Sequence, residues 1–557
     1  MKSTLNQAIE RLRSGDPNGA ERICSRILGL DPDQPQALHV SGLCAYQNAD
    51  YHKAGHYLDK ALSLDAQNAG LHNDLGLVRL ALEQYPEAMD SFQRAIGLSP
   101  EMAEAYLNAG LAAQKLGDLT AAAKSLTHAL ELKPDYAKAS FLLGQMFQRQ
   151  GLVRQAIDCF KRAIESNGRY VAALNHLSAC LLQTGEIKAA LEFLEQAYQV
   201  DPHCAETCCN LGNVLRRRHR FEDACNMYQK AITLSPQFAQ AHFNLGLVHL
   251  LLGRFEQGWR EYEWRLNQFP PTSGYPHRHG LPLWRNPHQN SGGILVYDEQ
   301  GYGDVFMFAR FLGKLKASGM HIVLETRPAL TPLMQYQDIA HQVVSRNHSP
   351  ALAGACACCV PLSSLAGIFG TTLENIPAPV PYLRAEPAKQ SRWAQRLTGE
   401  KPRIGLVWSG SSVDPSRRIA LHLFRQLNQN QRFAWYGLQK DDAGDQAAGE
   451  PWLINMGRDL ADFSDTAAVL ANLDLVISID TAVAHLAGAM GRPVWVLLPY
   501  VPDWRWFLNR SDSPWYPTMR LFRQTREADW QIPLRQIQTA LSQWQSAHQR
   551  IGKHGVC

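Results

Sequence analysis

Three absences narrow what this chain can be before any motif is read. It has no run of about 18 uncharged apolar residues, the length a membrane-spanning helix needs, and its opening MKSTLNQAIERLRSGD reads as a polar amphipathic helix without the apolar centre of a secretory signal. It has no strong charge of one sign: 55 Lys and Arg against 51 Asp and Glu leave a formal +4 over 557 residues, so nothing calls for nucleic acid or an anionic membrane as partner. The basic cluster Arg216, Arg217, Arg218 and Arg220 reads as a solvated helix face. It has no metal-site spacing either. The 12 cysteines are scattered, Cys356-Ala357-Cys358-Cys359 lacks a second pair, and Cys208-Cys209 falls in a helical segment, the pattern of small buried thiols in a reducing, cytoplasmic compartment. Asp441-Asp442 stands in a polar loop rather than as an Asp-x-Asp at a strand end, so no metal or other cofactor is expected. What remains is an ordinary globular composition, 45% hydrophobic and 19% charged, on a chain too long for one core.

What is present first is a period of 34 residues. One slot holds Pro32, Ala66, Pro100, Pro134, Gly168, Pro202 and Pro236; another holds Gly42, Gly76, Gly110, Gly144, Ser178, Gly212 and Gly246; a third runs from Ala20 and Ala54 to Ala224 and Gly258. Small residues at two slots let paired helices approach closely, and proline ends the second helix of each pair. Large apolar residues fill two further columns, Leu58, Phe92, Leu126 and Phe160 in one and Leu30, Leu64, Leu98 and Leu132 in the other. The period and slots resemble the tetratricopeptide repeat, and eight units fit between residues 1 and 272, the first a weak match that reads as a cap. Such an array implies an α-solenoid whose concave face binds an extended peptide or protein. Two residues before the glycine slot stand Val40, Asp74, Asn108, Leu142, His176, Asn210 and Asn244. The amides of Asn108, Asn210 and Asn244 are candidates to bond a peptide backbone; bonding within the array is the equal alternative.

The grammar changes after Trp264. A proline-rich aromatic stretch marks a junction at 273–289, and beyond it short apolar runs alternate with helical segments: ILVYDEQ (294–300), a helix from about Val305, HIVLET (321–326), then IGLVWSG (404–410), FAWYGL (433–438), LDLVISI (473–479) and PVWVLLP (493–499). Strand, turn, helix and strand in this order predict parallel βαβ units. A proline-rich hinge at 378–390 separates a first half, 290–377, from a second, 391–557. Two Rossmann-like halves with a linker resemble the GT-B glycosyltransferase layout, whose ligands bind at the carboxyl ends of the strands.

Two turns are candidates for chemistry. Glu299-Gln300-Gly301-Tyr302-Gly303-Asp304 follows a strand and opens a helix; glycines there admit a phosphate or sugar to the backbone, and Asp304 either caps the helix or acts on a substrate. Ser478-Ile479-Asp480-Thr481, followed by His485-Leu486-Ala487 and Gly491-Arg492-Pro493, is a second strand-to-helix turn, where Thr481 and nearby amides can hold a diphosphate. Together these turns resemble those of the ADP-heptosyltransferases. The resemblance implies Asp304 as the base on an acceptor hydroxyl, with Gly303 beside it, and Asp480, Thr481 and His485 as the grip on a nucleotide diphosphate. Where that family has a lysine for the phosphates, this chain has Ser409-Gly410-Ser411 followed by Arg417 and Arg418, which can serve through amides or guanidinium groups. Trp504 and Arg505 are further candidate lining residues, with aromatic packing between the halves as the alternative.

Repeats followed by a GT-B-like pair also resemble, in domain order, the O-linked N-acetylglucosamine transferase. The expectation is a metal-independent glycosyltransferase that takes a nucleotide diphosphate-sugar as donor and a protein or glycan as acceptor. The rival is a non-catalytic scaffold with a relic nucleotide-binding fold.

Overall fold

The 34-residue period folds as read. The computed structural model describes residues 2–268, 280–287, 292–346, 356–377, 379–410, 415–429, 431–440 and 442–554. The chain divides into two compact units, Met1–Val214 and Leu215–Cys557. The first is made of paired antiparallel helices, such as Pro35–Gln47 with Tyr51–Leu64 and Ala69–Ala81 with Tyr85–Leu98, the tetratricopeptide α-solenoid.

Why the slots recur is visible in what they touch. A Cβ placed on Gly42 would lie 2.8 Å from Leu58 Cγ, on Gly76 2.4 Å from Phe92 Cε1, on Gly110 2.8 Å from Leu126 Cγ, and on Gly144 2.6 Å from Phe160 Cε1. The glycine of the first helix is thus the seat of the large residue sixteen positions on, and the two columns are one packing device. Ala20, Ala54, Ala88, Ala122, Ala156 and Ala190 are fully buried. The second helix of each pair ends just before the proline slot, at Leu30, Leu64, Leu98 and Leu132. Those four leucines form an exposed column, 82%, 44%, 37% and 39% accessible, so this apolar column is not a core column.

The second unit begins inside the repeat array. It holds the helices Phe221–Leu234, Ala239–Leu251 and Phe255–Tyr262, followed by two parallel sheets. The strands are β1 (Gly293–Tyr297), β2 (His321–Thr326), β3 (Gln342–Ser345), β4 (Cys358–Pro361), β5 (Arg403–Val407), β6 (Ala434–Gly437), β7 (Leu453–Asn455), β8 (Leu475–Ile479), β9 (Val494–Leu498) and β10 (Met519–Arg523). The first sheet has the order β3-β2-β1-β4 and the second β10-β9-β8-β5-β6-β7. The second is the doubly wound Rossmann order, and in both sheets the order reverses beside the strand, β1 or β5, that opens it. Central strands are apolar throughout: every residue of β8 and β9 is buried, as a parallel sheet covered on both faces requires.

Residues 273–279 and 288–289 of the expected junction, and Ala378 of the expected hinge, lie outside the described residues. The last repeat packs on the sheet region rather than standing apart from it. Phe255 meets Phe507 and Trp515, Trp259 meets Trp504 edge-on at 5.4 Å and 89°, and the Trp259 indole N–H donates to the Thr371 carbonyl at 2.8 Å.

Candidate functional site

The first turn leaves the carboxyl end of β1. Gln300 takes a left-handed φ of 61°, Gly301 caps the helix Tyr302–Phe308, and the Gly301 amide donates to Asp304 Oδ2 at 2.8 Å. The second turn leaves β8, where Thr481 caps the helix Ala482–Ala489 and its hydroxyl meets Ser478 Oγ at 2.9 Å. These two short helices pack on each other. A Cβ on Gly303 would lie 2.7 Å from His485 Cδ2; the glycine is there because the histidine ring of the other half lies against its backbone.

Between the turns runs an alternating ladder of charge. Arg505 ion-pairs with Asp304 and, at 2.5 Å, with Asp503; Arg417 reaches Asp503 at 3.5 Å and Asp480 at 3.2 Å; His485 Nε2 lies 3.5 Å from Asp480. The ring is fixed from its other side, His485 Nδ1 to the Tyr516 hydroxyl at 3.0 Å, and stacks on Trp506. Burial pushes the Asp480 carboxyl up, but Arg417, His485 and Arg505 outweigh it and hold the group well below the usual carboxylate range. Burial likewise opposes the charge of Arg505, and Asp304 and Asp503 outweigh it, so the guanidinium stays protonated. Burial raises the Tyr516 phenol well above its ordinary value.

Of the residues singled out from sequence, Asp304, Gly303, Asp480, Thr481, His485, Arg417 and Arg505 come together here. Arg418 is exposed, its backbone bridged to Ser409. The Ser409 amide donates to Gln439 Oε1 at 3.0 Å and the Gly410 amide to the Arg417 carbonyl at 2.9 Å, so both are already engaged within the protein; Ser411 lies outside the described residues. Trp504 is buried among Trp259, Tyr262 and Trp515. In the repeats, Asn108 is buried and donates to Asn73 at 2.9 Å, Asn210 donates to Asn175 at 3.3 Å, and Asn244 accepts from Gln240 at 2.9 Å. Each of these amides makes a bond within the array, the alternative weighed for them.

Sequence reasoning passed over the supports. Arg265 of the last repeat region is 1% exposed and binds Glu299, at 2.6 Å, together with Glu263 and the Ser364 hydroxyl. Glu299 opens the Asp304 turn, so the repeat array's end holds one side of the ladder while Trp259 and Tyr262 back Trp504, the neighbour of Arg505, on the other. A lone arginine at a repeat terminus carries no motif that would have found it.

Four family models match this chain. "Tetratricopeptide repeat" matches 73–137, 107–153 and 141–203, "TPR repeat" matches 212–253, and "Anaphase-promoting complex, cyclosome, subunit 3" matches 15–95. "Glycosyltransferase family 9 (heptosyltransferase)" matches 460–502, the stretch holding Asp480, Thr481 and His485. Among curated proteins, Protein FlbA of Caulobacter vibrioides is 27% identical over 317 residues, 51% of this chain and 52% of that protein. Lipooligosaccharide heptosyltransferase 2 of Haemophilus influenzae is 26% identical over 142 residues, 22% of this chain and 40% of that one. The chain thus spans about half the length, or less, of the curated relatives it matches. Among solved structures, the crystal structure of MamA is 27% identical and covers 29% of this chain and 94% of its own, at a TM-score of 0.27. Among the described residues no helix is long and apolar enough to cross a membrane. Residues 73–203 and 212–253 are thus tetratricopeptide repeats, and residues 460–502 of the α/β region are similar to glycosyltransferase family 9.

Proposed function

We propose that the α/β region transfers a sugar from a nucleotide diphosphate-sugar to a hydroxyl of a protein or glycan presented by the repeats, in a cytoplasmic setting. The observation that carries this reading is the meeting of the Asp304 turn with the Asp480-Thr481 turn, the latter inside the family 9 match. The donor diphosphate sits at the amino end of the helix Ala482–Ala489, where free N–H groups and the helix dipole favour anions, with Arg417 as the cation facing it. Asp304 accepts the proton of the acceptor hydroxyl as its oxygen bonds to the anomeric carbon. The anomeric C–O bond to the diphosphate breaks, and its electron pair leaves on the diphosphate oxygen.

A second reading is a scaffold without turnover. It is favoured by the Arg505–Asp304 pair, which occupies one carboxylate oxygen, and by the engaged amides of Ser409 and Gly410. Thermal shift with ADP, UDP and GDP on the intact protein and on Arg417→Ala tests donor binding. Stabilisation by one of them that the variant lacks supports the site; no stabilisation by any contradicts it.

A further inference from the structure

A cavity lies away from the charge ladder. It has a volume of about 750 Å³, and neither Asp304, Asp480, His485 nor Arg505 lies in its walls. Its floor and sides come from the last repeat helix Phe255–Tyr262 and the turn after it, from Trp284, and from the segment following β4. Such a volume suits a ligand of a few rings.

The chemistry of the walls selects among ligands. Trp264 is half-buried, and one face of its indole is stacked on His242 at 3.9 Å and 7°, which holds the ring as a rigid plate; Trp284 and Ile368 add apolar wall. Among the described lining residues Glu256 and Glu263 are matched in number by Arg260 and Arg285, so these walls carry no net charge with which to attract a phosphate or an amine. Carboxylate, guanidinium and amide groups beside an aromatic plate are what a neutral, hydroxyl-rich ring needs: C–H faces for the indole, paired hydroxyls for the charged forks. Thr371 in the same wall keeps a buried Oγ1 with no hydrogen-bond partner among the described residues, an unmet bond that a polyol meets once the side chain turns toward the cavity.

We propose that this cavity binds a neutral oligosaccharide, at a site distinct from the Asp304–Asp480 turns and independent of whether those turns hold a nucleotide. The test is isothermal titration calorimetry of the full chain with maltotriose and with N,N′,N″-triacetylchitotriose, and with ADP and UDP as charged controls. Saturable binding of a trisaccharide at about millimolar Kd is expected, weakened about tenfold in Trp264→Ala and in the exposed Arg285→Ala, and unchanged in Arg417→Ala. Thr371→Val is expected to weaken the trisaccharide without lowering Tm, because the hydroxyl it removes is unpaired in the protein alone. Absence of heat from both trisaccharides, or binding untouched by Arg285→Ala and Thr371→Val, overturns the proposal. So does tighter binding of ADP or UDP that Arg285→Ala abolishes.

Discussion

The two units differ in the charge of the polar groups they bury. In Met1–Val214 the interior is small and apolar, alanines and glycines against leucine and phenylalanine, and the polar groups it buries are neutral: Asn73 with Asn108, Asn175 with Thr207, the Ser178 hydroxyl on a helix carbonyl. In Leu215–Cys557 buried charges join the neutral groups, and several ion pairs lie where the two sheets' loops meet: Arg265 with Glu299, Arg505 with Asp304, Arg417 and His485 with Asp480. Neutral amide pairs add about 1 kcal/mol each and specify register. Buried ion pairs add little net stability against apolar replacements, so a ladder of them is retained for what its charges do. The comparison teaches that the array is built to repeat and the α/β region to present charge.

Breaking the ladder separates the two most sharply. Arg505→Met leaves the partly buried Asp304 and Asp503 without their shared cation, and a loss of about 3 kcal/mol is expected, measured by chemical denaturation followed with tryptophan fluorescence. Next in size, Gly76→Ala sets a methyl 2.4 Å from the Phe92 ring and costs about 1–3 kcal/mol, while nucleotide-induced stabilisation of the second unit is unchanged. Gly303→Ala makes the converse case: its methyl meets His485 at 2.7 Å, and loss of nucleotide-induced stabilisation exceeds loss of Tm. Asn108→Ala is expected to cost about 1 kcal/mol and to leave any α/β-region readout untouched.

The comparison also predicts a difference in pH response. Asp480 has a folded pKa below its unfolded value, so its contribution is fully present above about pH 4 and is lost as pH falls through the depressed folded value. Acid titration of stability is therefore expected to weaken the second unit through this group, and Asp480→Asn to flatten that response. In the array, burial pushes the Cys44 thiol up to about 12 and those of Cys159 and Cys180 to about 11. These thiols are expected to resist maleimide at pH 8 until the chain is unfolded.

How far the sequence could be read follows the same division. The array was legible because each unit repeats the same contact, so Gly76 and Phe92 announce themselves by recurrence. The apolar strands β1, β2, β8 and β9 were legible as buried runs, and the two turns as strand ends before helices. β3, β4, β7 and β10 were not: Gln342–Ser345 and Leu453–Asn455 are short edge strands, and Cys358–Pro361 ends in a proline and reads as a thiol cluster. The single helix expected from about Val305 to Ala317 is two, Tyr302–Phe308 and Arg310–Ala317. At the site, Asp304, Asp480 and His485 stand in local motifs, whereas Asp503, Tyr516 and Arg265 act through contacts that only folding creates, 34 residues apart in the case of Arg265 and Glu299.

The central claim is that Asp304 and the Asp480 turn serve one reaction. It is tested most directly by measuring nucleotide-sugar turnover and nucleotide binding side by side in the intact protein and in Asp304→Asn. The account predicts that the variant still binds the nucleoside diphosphate within about threefold while turnover falls at least about a hundredfold. Equal turnover by both proteins, or binding with no turnover by either, contradicts it.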